Sequence, residues 1–169
     1  MKTKKLTVMA LTVSVAMVLS FVESQIPAFV AVPGIKIGLA NIAVVFALYR
    51  LGWKEAAGIS LVRVLLVSLL FGSAASLFYS LAGAVLSLAG AVLSLLGMGL
   101  MKRTGRFTEI IVSVTGGILH NVGQIAMASL ILETDVLRYY LPFLLVSGIA
   151  AGIVVGLAGA ALVRRIPLP

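Results

Sequence analysis

Six apolar segments follow one another along this chain, and short polar or glycine- and proline-containing stretches separate them. Most come close to the roughly 20 residues that an α-helix, rising 1.5 Å per residue, needs to cross a hydrocarbon core about 30 Å thick. They lack the polar–apolar alternation of a membrane β-barrel. The pattern predicts an all-α integral membrane protein, with one transmembrane domain over residues 1–169 and helices at about 6–23, 35–50, 54–71, 76–101, 108–132 and 139–163.

The second predicted helix, over about 35–50, is the shortest of the six. A Val-Pro-Gly stretch at 32–34 breaks any helix before it, because proline lacks an N–H and glycine tolerates left-handed backbone geometry. A tight turn over 50–54 follows it. A helix this short crosses a membrane only with little tilt or with local thinning of the bilayer, and the alternative is that it lies inside the bundle.

The composition agrees with a membrane protein. Hydrophobic residues make up 62% of the chain and charged residues 11%, against roughly 45–50% and 25% in soluble domains. The net charge of +8 does not indicate a nucleic-acid partner, because the basic residues lie at the ends of the apolar segments and form no single patch. The sequence contains no cysteine, which excludes disulfides and thiolate metal ligands. The expected surroundings are therefore a lipid bilayer.

Lysine and arginine fall mainly on one side of the predicted bundle. Lys36 and Arg138 fall on the other side, and Arg63 lies within a span. Because cytoplasmic loops carry the excess of basic residues, this asymmetry predicts a multi-pass protein of the cytoplasmic membrane with both termini in the cytoplasm. The residues on the predicted cytoplasmic side are Lys2, Lys4, Lys5, Arg50, Lys54, Lys102, Arg103, Arg106, Arg164 and Arg165.

Small residues recur at helical spacing in three of the predicted helices. Helix four repeats the heptad L-A-G-A-V-L-S at 81–87 and 88–94, and helix six carries glycine or alanine at every fourth position from 148 to 160. Such stripes let helix backbones approach closely. We expect packing within the bundle from both, in preference to docking of a partner subunit. Helix one has a less regular stripe of small residues, which includes Ala10 and Ser14.

Polar side chains at membrane depth are candidates for a binding site, because burying them in hydrocarbon is unfavourable unless they are paired or face a cavity. On helix five, His120, Asn121 and Gln124 share one broad face, since residues three and four apart are neighbours on a helix. Arg63 on helix three can reach along its stem to pair with Glu23. The predicted substrate-binding residues are Glu23, Gln25, Lys36, Asn41, Arg63, His120, Asn121 and Gln124.

This polar set has two interpretations. If the side chains point inward together, they form an outward-facing polar cavity in which a solute exchanges water for fixed hydrogen bonds. If they bond to one another, they form a buried network that only fixes the helix register. The three basic residues Arg63, Lys36 and His120 outnumber the one acid Glu23, which favours a solute with an anionic group.

Several catalytic motifs are absent from the sequence. It has no G-x-x-x-x-G-K-[ST] phosphate-binding loop, so ATP hydrolysis by that machinery requires another protein. Asp135 is the only aspartate, whereas Mg²⁺ on a diphosphate needs several oxygen ligands. The single histidine has no nearby partner for zinc. We therefore expect no enzymatic activity, no cofactor and no metal site.

Three strings carry a resemblance to a known family: E-S-Q-I-P at 23–27, P-G-I-K-I-G-L-A-N at 33–41 and H-N-V-G-Q at 120–124. With them the chain resembles the Gx transporter family, often labelled heptaprenyl diphosphate synthase component I. That family is similar to the substrate-binding S components of energy-coupling factor (ECF) importers. The resemblance implies a six-helix bundle with cytoplasmic termini and a solute site near the outer side.

The resemblance also implies roles for particular residues. The stretch from Glu23 to Asn41 corresponds to the loop that covers the solute site, and His120, Asn121 and Gln124 correspond to its lining. In S components, small residues on helix one meet a transmembrane coupling subunit, which matches Ala10 and Ser14 only approximately.

Three functions are consistent with these observations. The leading hypothesis is a substrate-binding component for small-molecule uptake, energised by an ECF-type coupling subunit and separate ATPases. The second is a non-catalytic membrane subunit associated with heptaprenyl diphosphate synthase or quinone biosynthesis. The third is a stand-alone carrier that uses His120 or Glu23 as a proton relay, because histidine titrates near neutral pH.

Overall fold

The computed structural model describes residues 2–25, 38–71 and 77–166 of the chain. Six α-helices and a short 3₁₀ helix make up nearly all of this part, and no strand occurs in these ranges. The all-α prediction and the six helices are confirmed. The helices are α1 Lys2–Gln25, α2 Asn41–Arg50, α3 Trp53–Phe71, α4 Leu77–Arg103, α5 Glu109–Ile131 and α6 Leu141–Arg165, and the 3₁₀ helix Val136–Tyr140 leads into α6.

Four stretches in the described part of the chain are long and apolar enough to span a membrane. α3 has sufficient length but carries three charged residues, Lys54, Glu55 and Arg63, and α2 is too short. The protein is therefore a helical membrane protein with both full-length and partial spans. The four stretches are Thr3–Glu23, Val85–Arg103, Glu109–Ile131 and Val136–Arg165.

The second helix begins later than the sequence predicts. Residues 38–40 form a turn in which Gly38 has a φ of +74° and its carbonyl accepts a 2.8 Å hydrogen bond from the Asn41 N–H. Because this left-handed backbone interrupts a helix, the predicted start near residue 35 is wrong for residues 38–40. The remaining 10 residues reach only about 15 Å, roughly half of a hydrocarbon core.

The short α2 lies inside the bundle. Its residues from Ala43 to Leu48 are all buried, and it packs against α1, α3 and α6. The largest fully buried side chains come from α2, α3 and α5, namely Val45, Leu48, Ile59 and Val112. α4 joins α3 to α5, and α5 packs between α4 and α6. The hydrophobic core therefore surrounds α2, while α1 lies at the edge against α2 and α3.

The small-residue stripes lie between helices of the same chain. A Cβ added at Gly152 of α6 would lie 2.6 Å from the Val114 Cα of α5, and one added at Gly156 would lie 2.7 Å from the Ile110 Cα. On α4, a Cβ at Gly90 would lie 2.7 Å from the His120 carbonyl oxygen of α5. The expected packing within the bundle is confirmed at these positions.

Polar contacts bring basic residues of several helices to one end of the bundle. Lys5 of α1 pairs with Glu55 of α3, and Lys102 donates to the carbonyl of Leu48 in α2. The Arg50 Nη2 donates to the carbonyl of Ile166, directly after α6, at 2.7 Å. The start of α1 and the end of α6 therefore lie at the same end, as an even number of crossings requires. We call it the basic end.

Candidate functional site

Two of the polar residues on α5 face α4. A Cβ added at Gly90 would lie 2.9 Å from the His120 Nδ1 and 3.0 Å from the Gln124 Cγ. His120 and Gln124 are one helical turn apart, so glycine at position 90 leaves space for both side chains against α4. The contacts with His120 and Gln124 explain why position 90, in the second heptad of α4, is a glycine.

Asn121, the third polar residue of α5, faces α6. Its Nδ2 donates a 2.5 Å hydrogen bond to the carbonyl of Leu144, and the Ser147 hydroxyl donates to the same carbonyl at 3.0 Å. A Cβ added at Gly148 would lie 2.9 Å from that Nδ2. The amide of Asn121 therefore bridges α5 and α6 at a close crossing. This contact is of the kind that the register-fixing interpretation predicts.

A second group of predicted site residues gathers where α1 ends and α2 begins. The Glu23 Oε1 accepts a 2.5 Å hydrogen bond from the Gly38 N–H. A Cβ added at Gly38 would lie 3.1 Å from the Asn41 Nδ2. The structure therefore brings Glu23 and Asn41 to the two sides of Gly38. Gln25 is exposed at the end of α1, and Lys36 lies outside the described residues.

Arg63 is the remaining predicted site residue. It lies on α3 between the buried Ser60 and Val64, and its Nε is buried without a hydrogen-bond partner in the part of the chain that is described. The Glu23 carboxylate is bonded to the Gly38 N–H. The pairing of Arg63 with Glu23 therefore stays a prediction, and the hydrogen bond of Glu23 goes to the backbone.

Helix geometry places this group away from the basic end. Arg63 lies eight residues beyond Glu55, or about 12 Å along α3, which is near mid-membrane. Glu23 lies eighteen residues beyond Lys5, or about 27 Å along α1. Because Lys5 and Glu55 are paired, Glu23 lies farther from the basic end than Arg63 does. We call Glu23, Gly38 and Asn41 the α1–α2 junction.

The structure also contains a groove that the sequence analysis did not predict. It encloses about 550 Å³ beside the C-terminal end of α5, with Ile125 and Ala126 among its apolar walls and Glu133, Asp135 and Arg138 at its polar end. None of the predicted site residues lines it. In sequence, the stretch from 133 to 135 indicates only a helix end, and no motif marks a groove.

The small residues on α1 point outward. Ala10 and Ser14 are exposed, and the Ser14 hydroxyl donates to the Ala10 carbonyl at 3.0 Å. Large apolar side chains on the same helix are exposed as well, including Leu11 and Val18. This outward face of α1 is therefore available to lipid or to another membrane protein. Among the described residues, no group of three or more metal-ligating side chains occurs.

A family model described as heptaprenyl diphosphate synthase component I matches residues 12–162. The chain belongs to this family. The match confirms the family suggested by the sequence strings and extends from α1 to α6, so the α1–α2 junction and the polar residues of α5 lie within it. Searches of curated proteins and of solved structures found no match. The structure of this component I chain is thus a membrane helix bundle.

Proposed function

We propose that this chain is a membrane substrate-binding component for small-molecule uptake, energised by separate ATPase and coupling subunits. The observation that carries the proposal is Arg63, a charged side chain near mid-membrane whose buried Nε has no hydrogen-bond partner among the described residues. Ionisable groups at this depth are rare and typically serve a solute or ion pathway. Glu23 and Asn41 add further polar groups, both beside Gly38.

The proposed orientation places the basic end in the cytoplasm. Ten of the thirteen lysines and arginines belong to that end, while Lys36 and Arg138 belong to the other. In this orientation both termini are cytoplasmic in the cell membrane, and the α1–α2 junction faces the outer half of the bilayer. A solute would therefore enter the site from outside the cell.

The proposed coupling surface is the outward face of α1 at Ala10 and Ser14. Both residues are exposed, and small side chains permit close approach of another helix. The chain has no phosphate-binding loop of its own, so the proposal assigns ATP hydrolysis to separate proteins and no enzymatic reaction to this chain. His120, Asn121 and Gln124 complete the proposed site from α5.

Native mass spectrometry of protein purified gently from its own membranes tests this function. A retained small molecule, together with an ATPase and a membrane coupling subunit, is the expected result. The same preparation from an Arg63→Gln variant serves as the control, and it should keep the subunits but lose the small molecule. A preparation that binds neither a solute nor an ATPase would contradict the proposal.

A second candidate function follows from the family description. Its words name a component of heptaprenyl diphosphate synthase, which favours a non-catalytic membrane subunit that holds a prenyl diphosphate or quinone-pathway enzyme at the bilayer. This function predicts that a soluble prenyltransferase co-purifies in stoichiometric amount and that Arg63→Gln leaves the association intact. The mass spectrometry experiment therefore separates the two candidates.

A further inference from the structure

We propose that the groove beside the C-terminal end of α5 binds a phospholipid with a primary-amine headgroup, taken from the leaflet opposite the basic end. An acyl chain of this lipid lies along the apolar walls, its ammonium beside the carboxylate of Glu133 and its phosphate beside the guanidinium of Arg138. The inference goes beyond the proposed uptake function and does not depend on it. It follows from the direction in which the groove faces, its depth in the membrane and the charges at its polar end.

The groove opens on the side of α5 that faces the lipid. Its wall includes Val122, Ala126 and Ser129, which share one face because residues three, four and seven apart are neighbours on a helix. Val122 points about 160° away from His120 and about 100° away from Asn121. His120 faces α4 and Asn121 faces α6. Ala126 is exposed, as expected for a face that neither of these helices covers.

The polar end of the groove lies at the level of the lipid headgroups. α6 has 25 residues from Leu141 to Arg165, which gives about 37 Å along its axis, longer than a hydrocarbon core of about 30 Å. Because Arg165 lies at the basic end, Leu141 in the groove wall reaches the opposite interface. Tyr139 and Tyr140 directly before it are exposed, and tyrosine is enriched at membrane interfaces. The groove therefore extends from the headgroups into the hydrocarbon.

The apolar part of the groove is about as long as one leaflet is deep. Val122 and Leu130 are the first and last apolar residues of α5 in its described wall, and about 12 Å separates them along the helix axis. Half of a hydrocarbon core is about 15 Å. The groove encloses about 550 Å³, which falls within the range of about 300–1,000 Å³ for ligand pockets. An acyl chain of one leaflet therefore matches the length and the apolar character of the groove.

Carboxylates and a guanidinium lie together at the polar end. The Arg138 Nη2 lies 2.9 Å from the Asp135 Oδ1, and both side chains are largely exposed. A guanidinium has five N–H donors, so Arg138 retains donors for a phosphate while it is paired with Asp135. Glu133 brings a second carboxylate to the same groove, and a carboxylate accepts strong hydrogen bonds from an ammonium. A headgroup with both a phosphate and a primary ammonium is therefore complementary to this end.

The backbone at Glu133 also indicates a function for its side chain. Its φ of +48° lies in the left-handed region, where glycine is the favoured residue after the end of a helix. Non-glycine residues in such conformations cluster at functional sites. Glutamate at this position supplies a carboxylate to the groove despite the backbone strain, which is consistent with a ligand for that carboxylate.

Two other common headgroups are less complementary to the groove. A choline group has the charge of an ammonium but no N–H to donate to Glu133. A glycerol headgroup has no cation at all, so its phosphate would lie near the carboxylates of Glu133 and Asp135 without compensation, and like charges repel. The comparison of ethanolamine with choline is the sharper one, because the two lipids have the same net charge and differ in their N–H donors.

The test measures lipid binding to the purified full-length protein in detergent by native mass spectrometry. Phosphatidylethanolamine and phosphatidylcholine with identical acyl chains are added in separate titrations. Phosphatidylethanolamine should bind with an apparent affinity about fivefold tighter, because only its ammonium donates hydrogen bonds to a carboxylate. Equal affinities for the two lipids would overturn the proposal.

Three variants assign the preference to the groove. Glu133→Ala should lower the affinity for phosphatidylethanolamine to that for phosphatidylcholine, whereas Glu109→Ala, which removes the same charge at the other end of α5, should keep the preference. Arg138→Gln should weaken both lipids, because each carries the phosphate. Glu133 and Arg138 are exposed, so their variants should keep the helical circular dichroism spectrum of the unaltered protein. A preference that survives Glu133→Ala, or affinities that Arg138→Gln leaves unchanged, would also overturn the proposal.

Discussion

The side-chain amide of Asn121 in α5 donates a 2.5 Å hydrogen bond to the backbone carbonyl of Leu144 in α6. The bond lies beside a glycine of each helix, Gly117 and Gly148, whose backbones are in close contact. In this structure Asn121 therefore stabilises the packing of α5 against α6. A role in solute binding would use the oxygen or the second N–H of the same amide.

Replacing Asn121 with alanine should lower the free energy of unfolding by about 1 kcal/mol, the typical loss for one interhelical hydrogen bond within a membrane. Thermal or denaturant unfolding in detergent measures this. Ser147→Ala is the matched control, because Ser147 donates to the same carbonyl from within α6 and should have a smaller effect. Unchanged stability of Asn121→Ala with loss of solute binding would show that its main role is in the site.

Replacing Gly152 with alanine should destabilise the protein by about 1–3 kcal/mol, because the new methyl group would overpack the α5–α6 crossing. Its Cβ would lie 2.6 Å from the Val114 Cα, a backbone atom that cannot rotate away. Gly58→Ala is the control, since nothing lies within 4 Å of a Cβ at that position in α3. It should stabilise the protein slightly through helix propensity. Equal melting temperatures for the two variants would refute this account of the stripe.

Replacing Glu133 with glycine should raise the unfolding free energy by about 1 kcal/mol, since a left-handed backbone is unfavourable for residues with a side chain. Glu133 has a φ of +48° and follows Leu132, the C-cap of α5, and the Thr134 N–H bonds back to the Ser129 carbonyl at 3.3 Å. Glu133→Ala removes the same carboxylate without relieving the backbone, so it should give no comparable gain. A gain in both variants would indicate a charge effect.

Replacing Ala10 and Ser14 together with leucine should leave the fold intact but abolish association with any subunit that docks on α1. Both positions are exposed, so the larger side chains extend away from the described part of the bundle. The control is Thr12→Leu with Ala16→Leu, because Thr12 and Ala16 are buried on the opposite face and should lower the melting temperature. Unaltered co-purification of the coupling subunit with the first variant would exclude this docking surface.

The proposed orientation can be tested with single cysteines, since the chain has none of its own. Arg138→Cys should react with a membrane-impermeant maleimide in intact cells, because Arg138 lies at the end away from the cytoplasm in that orientation. Arg165→Cys, at the basic end, should react only after the cells are permeabilised. The reverse pattern would invert the topology and place the α1–α2 junction on the cytoplasmic side.

The helices, the family and the packing of the small-residue stripes could be predicted from the sequence alone. Long apolar segments indicate helices, and small residues at every fourth position indicate close contact between helices. The start of α2 was harder to predict, since it depends on the backbone angle of Gly38 rather than on hydropathy. Arg50 and Lys102 illustrate a similar limit, because their hydrogen bonds to backbone carbonyls depend on tertiary contacts.

The sequence also could not predict that the polar residues of α5 face two different helices. His120 and Asn121 are adjacent and point about 100° apart on a helix. Whether such a pair faces one cavity or two neighbours depends on where those neighbours lie. In this bundle α4 and α6 lie on the two sides, so His120 contacts one and Asn121 the other. The groove lined by Glu133 likewise has no motif in the sequence that marks it.

The helix α1 is uninterrupted from Lys2 to Gln25, and polar contacts attach it to the bundle near both ends. Lys5 holds one end to Glu55, and Glu23 holds the other to Gly38. The outward face at Ala10 lies between these attachments, about 20 Å along the helix from Glu23. If a protein bound to this face and tilted α1, the tilt would move Glu23 relative to Gly38. It would thereby strain the hydrogen bond between them.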